Sequence, residues 1–424
     1  MVVAIAVAAL VLFASLIPPH YLILYTLLTF LGSSMPIVNR GGLLNQFRWA
    51  MLIALALGML LRNAVLRRGS PWHPVQLSLA CFVLYAAVSS VYSANGLMTV
   101  LKAGTFGCLA MAGMLYGRME SADQSGGSCK LLGQVIWYAL IVALGCALVF
   151  LHVLPTKPGY FAGPFGNPNS LGAFIAMVVP FMLLNLLRSF DKAPQIRVAN
   201  ILLITAYLIF LLMSRSRAGL GATFFACGWW LYFAHRRAFV AFLGGALITV
   251  VIYSLYFPQN VQNASQVYIY KGSSFVFKSR ADLLRASWEA SKESPIIGVG
   301  FGVSKGYSED WRFSFETGGA GREKANSFLA LVEEVGLIGS SFVLLPLAWV
   351  FVTVTKRLMN FRRLHQMGEE FWVMLTLSAC LVGGLANSFM EAWLTSTGFF
   401  STVLFWLVFG VLAARLTDPI RVSR

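Results

Sequence analysis

Apolar residues fall in long blocks from one end of the chain to the other, and polar residues gather in the gaps. The blocks cover 2–17, 20–33, 48–61, 75–93, 97–116, 131–153, 170–187, 197–213, 218–234, 238–256, 326–355, 371–389 and 396–415. Most approach the length that crosses a bilayer core as a helix, about 17–25 residues. The first two are short and separated by Pro18-Pro19-His20, so they read either as a broken hairpin or as two spans. The pattern therefore predicts an all-α polytopic membrane protein of about 12 or 13 transmembrane helices. One gap differs from the rest. The segment 257–325 is long and polar, and it divides a single integral membrane domain into N-terminal helices (1–256), a loop (257–325) and C-terminal helices (326–424). A rigid scaffold presents its working residues on such loops.

Composition supports this reading. The chain is 58% hydrophobic and 11% charged, with a mean hydropathy of +0.74, which excludes an ordinary soluble domain. A net charge of +16 raises the possibility of nucleic acid, but the placement of the charge points to a lipid bilayer and no nucleic acid. Lys and Arg in short loops set membrane orientation. With the long loop outside, the inner loops hold Arg62, Arg67, Arg68, Arg118, Lys130, Arg188, Lys192, Arg197, Arg236, Arg237, Lys356, Arg357, Arg362 and Arg363, followed by Arg415, Arg421 and Arg424. The short outer loops then keep only Arg40, Arg48, Lys157, Arg215 and Arg217, and the C-terminus is cytoplasmic. None of the six cysteines lies in the long loop, so neither a disulfide framework nor a cysteine metal site is expected. Met1–Ile17 lacks a basic leader and reads as a retained helix.

Several outer-side segments carry chemistry. Gly163-Pro164-Phe165-Gly166-Asn167-Pro168-Asn169-Ser170 forces turns, and Asn169 or Ser170 is placed to cap the next helix. Ser214-Arg215-Ser216-Arg217-Ala218-Gly219 sets two arginines at the outer membrane edge, against the orientation rule. An anionic ligand would compensate them, since a guanidinium fork bonds two phosphate oxygens at once; snorkelling to lipid headgroups is the alternative. Ser279-Arg280-Ala281-Asp282 opens a short amphipathic helix with Ala281, Leu284 and Trp288 on one face. Arg280 stands in its electropositive first turn, where an anion would join cation and helix end, although a plain surface helix fits as well. Pro295-Ile296-Ile297-Gly298-Val299-Gly300-Phe301-Gly302 lacks the strand-to-helix context of a dinucleotide loop, so Gly298 and Gly300 permit close backbone approach to protein or to a diphosphate. Asn326-Ser327 begins a span in which Glu333 and Glu334 lie about two turns inside apolar sequence, a costly place for carboxylates. Glu391 is the one charge of the last outer turn.

In this order, Gly166-Asn167-Pro168-Asn169, Ser216-Arg217-Ala218-Gly219, Ser279-Arg280 with Trp288, Pro295 to Gly300, and Asn326-Ser327-Phe328-Leu329 to Glu334-Val335-Gly336-Leu337-Ile338-Gly339 resemble the O-antigen ligase and O-antigen polymerase superfamily of bacterial envelope glycan synthesis. The resemblance covers roughly 160–340. It implies a glycosyltransferase of the bacterial inner membrane that acts on the periplasmic face without a metal or other cofactor. Its donor would be a glycan on undecaprenyl diphosphate and its partner a glycan acceptor. Arg217 and Arg280, with Arg215 beside them, would hold the diphosphate; Asn167, Asn169, Asn326, Gly298 and Gly300 would position the loops. Ligases of this family have a histidine before Asn-Ser, and here that place is Ala325. A carboxylate can serve as base instead, with Glu323 nearest in sequence, then Glu391 and Glu334. The missing histidine favours a polymerase of exopolysaccharide or O-antigen repeat units over a ligase. A flippase of lipid-linked glycans would show charge through its mid-spans, where Lys102 is nearly alone.

Overall fold

The computed structural model describes residues 16–35, 43–65, 73–122, 129–152, 161–256, 278–304 and 324–417. They form α1 (Pro19–Ser34), α2 (Leu43–Val65), α3 (Pro74–Val88), α4 (Gly96–Ala122), α5 (Lys130–Phe150), α6 (Pro168–Arg188), α7 (Pro194–Ser214), α8 (Arg217–Ala234), α9 (Arg236–Tyr256), α10 (Lys278–Glu293), α11 (Ser327–Arg363), α12 (Glu369–Ser388) and α13 (Phe400–Thr417). No strand occurs among the described residues. The run 2–17 lies almost entirely outside them, and each of the other twelve apolar runs coincides with one helix. Nine helices among the described residues are long and apolar enough to cross a bilayer; α1, α8 and α9 fall short of that standard. The protein is an all-α polytopic membrane protein.

Local chemistry sets the helix starts. Pro19, Pro74, Pro168 and Pro194 occupy first turns, where the missing N–H costs nothing. His73, Asn167, Ser216 and Asn326 cap α3, α6, α8 and α11 through their side chains. The centre of the bundle is α13, 89% buried over its span, with α12 at 78% and α6 at 72%; α7, at 22%, faces outward. Without a hydrophobic drive between helices in lipid, small residues let backbones meet. Gly113 and Gly117 of α4 abut the backbone of α13 at Trp406 and Gly410, leaving no room for a Cβ.

The helix ends fall into two sets. At one end, Arg188 pairs with Glu369 and Arg415 with Glu370, and Arg118 bonds Gln76. There Arg357 donates to the Arg415 and Leu416 carbonyls, and Arg362 to that of Tyr232. At the other end lie the starts of α6, α8, α10 and α11 and the turn from α12 to α13, the surroundings of the site. Lys102 belongs to this second end. It stands only in the second turn of α4 and donates to the Gly302 carbonyl at 2.5 Å, so it is not a mid-span charge.

Candidate functional site

The sequence segments from Asn167 to Arg217 interlock first. Asn167, rather than Asn169 or Ser170, caps α6, accepting from Asn169 N at 2.8 Å. The Asn169 side chain is thereby free to cross to the next motif, where its Oδ1 accepts from Ser216 Oγ at 3.2 Å. Ser216 in turn caps α8, accepting from Gly219 N at 3.1 Å. Gly172 and Gly219 touch backbone to backbone, which brings the two helix starts together. Arg215 closes α7 in a left-handed conformation, φ 50°, unusual for a residue with a Cβ. That turn throws the chain directly into α8 with Arg217 as its first residue.

A second convergence joins α10, α11 and the turn after α12. Asn326 caps α11, accepting from Phe328 N at 2.8 Å and Leu329 N at 2.9 Å, and its Nδ2 donates to the Phe389 carbonyl at 2.8 Å. Ser327 Oγ donates to the Glu391 carbonyl at 2.6 Å and accepts from Trp393 N and Leu394 N. Arg280 donates to the Ala325 carbonyl at 3.3 Å and to that of Met390, and pairs with the Glu391 carboxylate. Burial lowers the Arg217 guanidinium below its usual range, and the charge of Arg280 acts in the same direction. Helix starts thus meet in pairs, α6 with α8, where Arg217 opens α8, and α10 with α11, where Arg280 stands. Partial positive charge at helix starts adds to the full charges, and such a place favours an anion with several oxygens.

The glycine-rich segment is given to protein contact. Residues 295–300 run antiparallel to 333–338: Val299 N donates to the Glu333 carbonyl, Gly300 N to that of Glu334, and Leu337 N to that of Pro295. The pairing needs a break in α11 at Gly336, φ 64° and ψ −171°. Gly298, at φ 76°, lies against the backbone of Glu334, and Gly336 against that of Ile296. Tyr92 holds this segment from outside by donating to the Ile297 carbonyl at 2.8 Å. Burial, with Tyr85 beside it, pushes the Tyr92 phenol up to about 12, so it stays a donor.

Glu333 and Glu334 therefore sit before a helix break, not inside an uninterrupted span. Glu334 accepts from Lys324 Nζ at 2.7 Å and from Gly302 N at 2.8 Å, and Lys324 lies 3.7 Å from Glu333. Lys324 also donates to the Val303 carbonyl at 3.1 Å. Of the three candidate bases, Glu391 alone is in contact with a candidate anion-binding arginine in these described contacts, and Glu323 lies outside the described residues. On α10 the apolar face is not the buried one. Trp288 is 55% exposed with Lys292 over its ring, while Ser287, Ala290 and Ser291 face inward. The helix begins with Lys278, which puts Ser279 and Arg280 in its first turn.

Sequence reasoning singles out only Glu391 in the turn after α12, yet most of that turn is fixed by side chains. Trp393 Nε1 donates to Asn387 Oδ1, Trp406 Nε1 to the Leu394 carbonyl, and Arg48 to the Gly398 carbonyl. Asn387 and Trp393 on either side of a lone acidic residue were the available signal.

Fold and site define a multi-pass membrane protein with a cationic, helix-terminated site at one end of its bundle. Residues 201–344, about a third of the chain, match the family model described as O-antigen ligase, in keeping with the resemblance the motifs carry. The match includes Arg217, Arg280 and the paired segments 295–300 and 333–338, and leaves out Asn167, Asn169 and Glu391. No curated protein matches the chain.

Proposed function

We propose that the protein transfers a glycan from undecaprenyl diphosphate to an acceptor sugar on the periplasmic face of the inner membrane, as a polymerase of repeat units. The observation that carries this reading is Arg280, held where the starts of α10 and α11 and the turn after α12 come together, with Arg217 opening α8. A lipid diphosphate is an anion that a membrane-edge site of this kind can reach from the bilayer. In the reaction the acceptor hydroxyl oxygen attacks the sugar C1, and the C1–O bond to the diphosphate breaks with its electron pair leaving on the diphosphate. Arg217 and Arg280 stabilise that charge, an electrostatic role that counts most in a site shielded from water. The acceptor proton passes to a carboxylate, Glu391, Glu323 or Glu334.

Ala325 supports a polymerase over a ligase, because it supplies no imidazole where the resembling ligases have one. The family description, O-antigen ligase, favours the second reading, transfer to lipid A core or another acceptor. Arg217→Lys and Arg280→Lys keep the charge and lose the fork. Each should lower glycan transfer by about 10²-fold or more at normal membrane abundance. Near-normal glycan chains from both variants would reject the diphosphate role. Product length separates the two readings: a polymerase yields lipid-linked chains of many repeats, whereas a ligase yields transfer to a second carrier without lengthening.

A further inference from the structure

Arg280 is the point where the proposed donor site and a carboxylate compete. Its guanidinium is engaged by the Ala325 and Met390 carbonyls and by the Glu391 carboxylate. The two side chains are only 19% and 20% exposed, so this is no loose surface pair. The two carbonyls occupy Nη1 and the carboxylate sits at Nη2, so a diphosphate that takes the Nη2 and Nε edge as a fork competes with the carboxylate for it. The two carbonyls can stay when an anion arrives, since they fix the guanidinium without neutralising it. The carboxylate is the group that must give way.

The turn around Glu391 confines that movement to its side chain. The Glu391 carbonyl is held by Ser327 Oγ, the Phe389 carbonyl by Asn326, and Trp393, 4% exposed, is bonded through both its backbone N and its ring N–H. The carboxylate can therefore swing while its backbone remains beside Arg280.

We propose that the Arg280–Glu391 pair is a latch opened by the donor. This rests on the diphosphate reading given above. Before the donor arrives Glu391 holds Arg280 in place and offsets its charge. The diphosphate of the donor takes over Arg280, and the displaced carboxylate then accepts the proton of the acceptor hydroxyl as the C1–O bond breaks. A carboxylate paired with a guanidinium is a weak base, because the neighbouring cation favours its charged form. Losing that partner strengthens it only when a donor is bound. Donor binding thus switches on the base, and Glu391 is a catalytic residue with two successive partners.

The test uses the full chain in nanodiscs, with undecaprenyl diphosphate as the probe. Removing the competing charge in Glu391→Gln should tighten its binding roughly tenfold, within the usual range of coupling between sites. Transfer by the same variant should fall by about 10²–10⁴-fold. Glu391→Asp, which draws the carboxylate back from Arg280, should also bind more tightly while keeping part of the transfer activity. Arg280→Gln should weaken binding, and adding Glu391→Gln to it should give no further tightening. Binding that is unchanged or weaker in both Glu391 variants overturns the latch, while loss of binding in Arg280→Gln alone leaves the diphosphate reading standing. If neither Arg280→Gln nor Arg217→Gln alters binding of undecaprenyl diphosphate, the donor reading itself falls.

Discussion

At the scale of single residues, the three candidate carboxylates differ in what their loss should do. Glu334 is bound into a partly buried group with Lys324, Gly302 N and the Val303 carbonyl. Breaking a buried pair costs roughly 3–5 kcal/mol, a cost reduced here because Glu333 stays 3.7 Å from Lys324. Glu334→Gln should therefore lower the melting temperature and the membrane abundance, with activity falling in proportion to the protein that remains. Glu391→Gln should leave abundance near normal while lipid-linked repeat units accumulate. A melting curve and a count of lipid-linked units, run on both variants, separate the two. Normal polymer from Glu391→Gln and none from Glu323→Gln would move the base to Glu323. Sequence order ranked Glu323 first because it is nearest to Asn326 along the chain. Proximity along the chain says nothing of Arg280, which approaches Glu391 across 111 residues. Ala325 shows the same limit: its side chain is 2% exposed, but its carbonyl is what reaches the arginine.

At the scale of elements, the glycines at 298 and 336 decide how the loop enters the membrane part. Both have positive φ, and each lies against the backbone of the other's segment. Gly298→Ala would add both the strain of a left-handed alanine and an overlap with the Glu334 carbonyl. A cost of about 1–3 kcal/mol is expected for such a position. The corresponding outcome is a lower melting temperature with the affinity for undecaprenyl diphosphate per folded molecule unchanged; a selective loss of affinity would instead put the glycines at the diphosphate. The sequence left that choice open, since a glycine-rich run serves close approach to a phosphate and to a backbone alike. The helix break at Gly336 was equally hidden. A continuous apolar pattern from 326 to 355 reads as one span, and only the antiparallel pairing with 295–300 requires the interruption.

At the scale of the whole molecule, the division of helix ends matches the charge pattern that predicted it. The described arginines assigned to inner loops, among them Arg188, Arg357, Arg362 and Arg415, lie at the end away from α10. If the α10 end is periplasmic, a cysteine at Glu289, whose side chain is 57% exposed, should react with a membrane-impermeant thiol reagent in intact cells lacking native cysteines. A cysteine at exposed Gln366, between α11 and α12, should react only after the membrane is opened. The reverse labelling pattern would invert the molecule and move the site to the cytoplasm. Reagent access through any outer membrane is established with a cysteine in a secreted control.

The helices were legible in the order of residues alone. Twelve apolar runs coincide with twelve helices because the bilayer core demands apolar length and internal backbone hydrogen bonding, both written locally. That order also marked Arg217 and Arg280 as anion candidates, because a cation at an outer membrane edge or a helix start is out of place without a partner. Which partner meets them depends on the packing of the helices. The pairing of Arg280 with Glu391, of Asn169 with Ser216 and of Lys324 with Glu334 depends on which helix starts are neighbours. That is set by contacts of small residues between helices, such as Gly172 with Gly219, which leave no periodic trace in the chain.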